Sequence, residues 1–291
     1  MNNDRIQEIL DLMEEARLDY FLISDPQSIA YCTGYYNDPH ERMFVFMISK
    51  HGNHTLFMND LFYLEHDLDV NIVWHKDGQD AIQTIVDEMH FPGRIGIDKN
   101  WASHFLLDLM KKLPDAKYIN ASPCVDLVRM KKDLQEQVLM IESSKINDAV
   151  MEEIIPFIQE GVTEKQLAKK LDELFFNHHS TCYGAIVAFG KNAADPHHEN
   201  DDTPLRKGDC VLIDMGCVYK GYCSDMTRTF FYEGILEEEI KVYEIVKKAN
   251  EAAEAMIKPG VKLSDIDKCA RKVISDEGYG KYFTHRLGHF I

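Results

Sequence analysis

Apolar positions in the first part of the chain switch repeatedly between helical and strand spacing. Ile6, Ile9, Leu10 and Met13 recur on one helical face. The run YFLIS (20–24) predicts a buried strand, and MFVFMIS (43–49) and HTLFM (54–58) predict a strand pair around HGN. NIVWH (71–75) and RIGID (94–98) are further short strands, while DAIQTIVDEMH (80–90) and WASHFLLDLMKKL (101–113) are helices. Strands interleaved with helices predict an α/β layered domain. It closes near ASPCVDLVRM, and the expected boundary gives an N-terminal domain over 1–126 and a second domain over 127–291.

The second part opens with a long amphipathic helix from about Leu134 to Gln159, with a kink expected at Pro156. Thr163 and Gln166 then stand at the N-cap and N3 positions of a capping box. A similar arrangement recurs about a hundred residues later: a helix over 236–257, then Gly260-Val261 in place of Gly161-Val162, then a helix that Ser264 is expected to cap. Two occurrences fit a duplicated α+β domain rather than a solenoid. After the first helix pair come three strand patterns, YGAIVAFG (183–190), CVLIDMG (210–216) and YCSDMTRTFF (222–231). The equivalent strands of the second repeat are expected after Gly280, and the sequence stops at Ile291.

Composition narrows the function classes. The chain of 291 residues is 45% hydrophobic and 28% charged, which fits a soluble globular protein of about two domains. A formal net charge of −17 argues against nucleic-acid binding and against an anionic membrane surface. The N-terminal stretch lacks a basic segment followed by an apolar one, and no apolar run is long enough for a membrane span. Seven scattered cysteines without a CxxC pair fit reduced thiols in a cytoplasmic protein.

Asp214 and Asp225 interrupt otherwise apolar strand patterns on either side of VYKG. With a tight turn centred on Tyr219-Lys220, the two stand directly opposite on one face of an antiparallel pair. Two carboxylates so close in apolar surroundings cannot both ionise without compensation. A shared proton, an ion pair with Arg228 or a metal would each relieve them. Metal is favoured because other ligand types lie nearby: the loop DPHHEN (195–200) precedes the Asp214 strand, and HRLGH (285–289) sets two histidines four apart beside Gly288.

The run VLIDMGCVYKGYCSDMTRTFF, preceded by PHH and followed by HRLGH, resembles the pita-bread metallopeptidases, and more narrowly their Xaa-Pro dipeptidase (prolidase) and aminopeptidase P branch. YCTGYYNDPHERMFVFMIS resembles the early part of that branch's N-terminal domain. The resemblance implies a creatinase/prolidase-like α/β N-terminal domain followed by an α+β pita-bread catalytic domain. It implies two divalent metal ions held by two aspartates, one histidine and two glutamates. The first three map to Asp214, Asp225 (bridging) and His289; His197 would bind the substrate or the oxyanion, His285 would line the substrate pocket, and Thr227 would support the bridging site. The activity implied is hydrolysis of Xaa-Pro peptide bonds, a tertiary amide linkage that blocks many peptidases. Mn²⁺ suits a carboxylate-rich site best, with Co²⁺ or Zn²⁺ as alternatives. The family also implies a homodimer, with a proline-containing peptide as the partner molecule.

The family pattern continues beyond HRLGH with a further histidine and the two glutamate ligands. Glu199, Glu233 and Glu277 do not occupy the required positions, so neither glutamate ligand is assigned. The expectation is a C-terminally incomplete catalytic domain that binds metal poorly and is inactive as it stands. Alternatives of the same fold are an aminopeptidase acting on longer peptides and a non-catalytic binding module. Creatinase, which uses no metal, fits poorly with retention of both aspartates, and methionine aminopeptidase lacks the N-terminal domain.

Overall fold

The computed structural model describes residues 1–90 and 92–290. The chain divides into two compact units, Met1–Lys132 and Asp133–Ile291.

The first unit is built as α1 (Asn3–Glu15), β1 (Tyr20–Ile23), α2 (Pro26–Thr33), β2 (Val45–Ser49), β3 (Thr55–Asn59), β4 (Asn71–His75), α3 (Ala81–Glu88), β5 (Arg94–Ile97), α4 (Ser103–Lys112), β6 (Lys117–Asn120) and α5 (Ser122–Met130). Its six strands form one mixed sheet in the order β4-β3-β2-β1-β5-β6. The central strand β1 is buried at all four positions because the sheet is covered on both faces. Period-two alternation sends Phe21 and Ile23 into a core with Ile6, Ile9 and Met13 of α1 and Val125 and Val128 of α5. Tyr20 and Leu22 point the other way, into a core with Ile82 and Ile85 of α3 and Leu109 of α4. The expected α/β layering is therefore present. Two elements were not foreseen: α2, which Asp25 caps by accepting from the Ser28 amide, and the half-exposed edge strand β6. The segment that was expected to close the domain is helix α5, and it spans the boundary expected at residue 126.

The second unit begins with α6 (Leu134–Ile154), which ends in a 3-10 turn over Ile155–Phe157 that contains Pro156. It continues with α7 (Glu164–Asn177), β7 (Thr181–Cys182), β8 (Ile186–Phe189), β9 (Cys210–Met215), β10 (Cys217–Tyr219), β11 (Tyr222–Cys223), β12 (Met226–Phe231), α8 (Glu237–Glu254) and α9 (Leu263–Asp276). The Thr163/Gln166 capping box forms as expected, and Asp133 with Glu136 forms another at the start of α6. Ser264 does not cap α9: the helix starts two residues earlier than such a cap would set, with Lys262 at the N-cap and no side-chain cap bond. The two Gly-Val junctions share their backbone form, with Gly161 at φ +85° and Gly260 at φ +88°. Such left-handed values cost glycine little.

Two short sheets carry the hairpin of this unit. β9 and β12 pair with β8 in the order β12-β9-β8, while β10 and β11 pair with β7 in the order β11-β10-β7. One long hairpin therefore belongs to two sheets and bends between them, at Gly216 on one arm and Ser224-Asp225 on the other. Val211, Ile213 and Met215 of β9 pack onto Val150 and Ile154 of α6 and Leu167, Leu171 and Phe175 of α7. The intervening position, Asp214, faces the opposite side. Helices α8 and α9 share a smaller core of Ile245, Ala249, Ala253, Ala270 and Ile274. Between α9 and Phe290 no strand occurs among the described residues.

Gly96 of β5 has no room for a side chain. A Cβ there would stand 2.5 Å from the Ala121 Cβ and 3.0 Å from the Leu18 side chain. Gly96→Val is expected to destabilise the first unit by about 1–3 kcal/mol, read as a lower urea midpoint for its unfolding. An unchanged midpoint would show that the strand can shift away.

Candidate functional site

The hairpin register decides which side chains meet. Asp214 pairs with Thr227 and Met215 with Met226, and Val218 with Cys223 and Tyr219 with Tyr222 continue the same register. The turn is therefore centred on Lys220-Gly221, both at positive φ (49° and 84°), as the two-residue turn of a tight hairpin requires. This corrects the expected turn centre by one residue and the expected pairing by two. Asp225 lies diagonal to Asp214 instead of directly opposite it. A shift of two keeps both carboxylates on the same face, where diagonal neighbours remain within side-chain reach.

That face is open. The Asp214 residue is half-buried and the Asp225 side chain is about one-third exposed, so neither carboxylate lies in the apolar core that the sequence suggested. Burial and the charge of Asp214 push the Asp225 carboxyl above its usual range, and His289 acts in the opposite direction. The His289 Nε2 lies 3.6 Å from Asp225 Oδ2. Thr227 Oγ1 donates to Asp214 Oδ1 at 2.6 Å, so it supports Asp214 and not the expected bridging carboxylate. Arg228 makes no ion pair with either aspartate among the described residues. It stands opposite Ile213, one position out of phase with Thr227, and its guanidinium donates to the Thr227 carbonyl.

The other predicted histidines also come together. His197 and His285 have ring centroids 6.3 Å apart, although 88 positions separate them in sequence. His285 and His289 share a segment tied to α9: Arg271 donates to the carbonyls of Phe283 (2.8 Å) and His285 (2.7 Å), and Asp267 accepts from the Leu287 amide (2.9 Å). The Arg271 guanidinium in turn holds the Asp267 carboxyl below its usual range.

Two contributors were not visible in the sequence. Tyr183 reaches over the bend in the hairpin, where its hydroxyl donates to the Ser224 carbonyl. Burial and the nearby charge of Asp225 raise its phenol well above the usual value, with Cys223 and Asp214 adding to the effect. Gly216 makes this approach feasible, since a Cβ there would collide with the Tyr183 hydroxyl and the Ser224 carbonyl. The nearest sequence signal was the glycine two positions after Asp214, next to which a backbone or a ring can come close. The second contributor is Glu164. It is fully buried at the start of α7, and with His198 and Asp201 it forms a group whose ligand atoms all lie within 4.8 Å of one another, close enough to hold a cation.

Residues 138–291 match the model of metallopeptidase family M24, and residues 5–131 match the creatinase/prolidase N-terminal domain. An uncharacterized peptidase of Staphylococcus aureus is 32% identical over 98% of this chain and 82% of its own length. Among solved structures, a dipeptidase from Pyrococcus horikoshii is 34% identical with a TM-score of 0.88, over 98% of this chain and 81% of that one. The prolidase from Thermococcus sibiricus is 30% identical with a TM-score of 0.92, over 99% of this chain and 81% of that one.

The raised Asp225 carboxyl has a consequence for stability. A carboxyl whose folded pKa exceeds its unfolded one stabilises the fold fully below the unfolded value, and that contribution is lost as pH rises through the folded value. In chelator-treated protein, the melting temperature of the second unit should therefore fall as pH rises above the ordinary carboxylate range. Asp225→Asn should flatten that part of the profile. An unaltered slope in the variant would assign it to another group.

Proposed function

The chain belongs to metallopeptidase family M24, and on that premise we propose that it acts on Xaa-Pro dipeptides with two divalent ions held at Asp214, Asp225 and His289. It has the pita-bread fold of that family behind a creatinase/prolidase N-terminal domain. The observation that carries the reading is the convergence of three potential oxygen and nitrogen ligands on one open sheet face, with two further histidines facing each other. The donor set fits hard or borderline divalent ions, and Mn²⁺ is the first choice for a carboxylate-rich group. A cation would also offset the burial and the Asp214 repulsion that raise the Asp225 carboxyl.

When bound, a pair of divalent ions supplies hydroxide at neutral pH and polarises the scissile carbonyl. The chain's own residues hold and orient. Asp225, adjoining both Asp214 and His289, is the residue suited to lie between two cations. The His197 ring donates to the carbonyl oxygen of the substrate as negative charge develops on it. His285, whose ring stands 6.3 Å from that of His197, limits what can lie beside the proline ring. The acidic face attracts the free amine of a dipeptide. The similarity to solved dipeptidases and prolidases favours dipeptides over longer peptides.

Two measurements test this. In millimolar Mn²⁺, any hydrolysis should favour Gly-Pro over Gly-Ala and stop on chelation. Binding of Gly-Pro, followed by calorimetry, should weaken by about tenfold or more in His197→Ala, the loss of a hydrogen bond to a developing or partial charge. Equal treatment of Gly-Ala and Gly-Pro would contradict the substrate assignment, and unchanged Gly-Pro binding in His197→Ala would contradict the role given to His197.

A further inference from the structure

The loop that carries His197 is attached to the start of α7 by one buried carboxylate. Glu164 is 0% exposed and accepts four hydrogen bonds. Its Oε1 takes the Phe189 amide and the Asn192 side chain, both at 2.9 Å. Its Oε2 takes the Asp201 amide at 3.1 Å and His198 Nε2 at 2.6 Å. A carboxylate only accepts, so the His198 ring carries its proton on Nε2. The helix end reinforces the attachment: the Glu164 and Lys165 amides, which have no partner within α7, donate to the carbonyls of Thr203 and Asp201. Asn200 fixes the far side of the loop, accepting from the Val187 amide at 2.7 Å and donating to the Ala185 carbonyl at 2.8 Å.

His197 itself has little to hold it. It is exposed, and its amide donates only to Asp195 within the same loop. Its neighbour His198, by contrast, is seated on Glu164 with only 12% of its side chain exposed. We propose that Glu164 is a positioning residue which, through His198 and the Asp201 amide, sets where the His197 ring stands relative to His285. This rests on the reading of His197 as the group that meets the substrate. Cation binding is the competing use of Glu164, His198 and Asp201. It is disfavoured because all four acceptor positions of Glu164 are occupied, two of them by backbone amides that could leave only by opening the loop.

The test needs no activity. Glu164→Gln keeps an acceptor for one pair of donors and turns an amide NH₂ towards the other. Amide exchange at Asp201 should accelerate by about tenfold or more, while Val211 and Ile213 of β9 keep their protection. The NMR cross-peak between the His197 and His285 rings should be lost. His198→Gln, which retains a donor, should preserve that cross-peak, and His198→Leu should lose it at an unchanged melting temperature. The proposal is overturned if Glu164→Gln leaves exchange and cross-peak as they were. It is equally overturned if β9 loosens as much as the loop, which would make Glu164 a general stabiliser. Slower Asp201 exchange on adding Mn²⁺ to an Asp225→Ala variant would also overturn it, in favour of an ion at Glu164. If His197→Ala leaves Gly-Pro binding intact, the functional reading of His197 fails while the attachment of its loop still stands on the exchange data.

Discussion

The register of one antiparallel hairpin governs the second unit. Once Lys220 and Gly221 form the turn, every later pairing follows, and parity alone puts Asp214, Thr227 and Asp225 on one face and Ile213 and Arg228 on the other. A slip of one residue would put Asp225 on the face opposite Asp214, turned towards α6 and α7, and separate the two carboxylates. The apolar core thus holds the carboxylates outward without touching them. The bend at Gly216 and Ser224-Asp225 takes those positions out of the strands, while Asp214 stays near the end of β9, paired with Ile186 of β8 and Thr227 of β12.

Around this hairpin, each helix pair contributes one histidine segment. Helix α7 holds the loop of His197 and His198 through Glu164, and α9 holds the segment of His285 and His289 through Asp267 and Arg271. The two devices use opposite chemistry: a buried carboxylate that gathers N–H donors, and a guanidinium that gathers carbonyls. In both, a charged side chain on a rigid helix satisfies the backbone of an irregular segment, which would otherwise fluctuate. The separation of His197 from His285 is set by these helices, not by contacts between the rings.

Much of this was legible from sequence, for identifiable reasons. YFLIS read clearly as a strand because both sheet faces are covered, and Thr163 with Gln166 read as a cap because the motif is local. The common face of Asp214 and Asp225 was legible because parity survives an error of two in register. The turn centre was not, since nothing in Tyr219-Lys220-Gly221 announces that Lys220 adopts a left-handed backbone. Helix α2 was missed because only eight residues, beginning at a proline, carry its pattern, and Ser264 looked like a cap because Lys262 offers no such signal. Tyr183 and Glu164 act through partners 25 to 41 positions away, a distance over which a single sequence gives no spacing rule.

The central claim is that the open face of the hairpin binds a pair of divalent ions through Asp225. Electron paramagnetic resonance of the chain in excess Mn²⁺ tests it directly. A spin-coupled signal, from ions about 3.5–4 Å apart, that disappears in Asp225→Ala is the predicted result. A spectrum of free or isolated Mn²⁺ only, the same in wild type and variant, would contradict it.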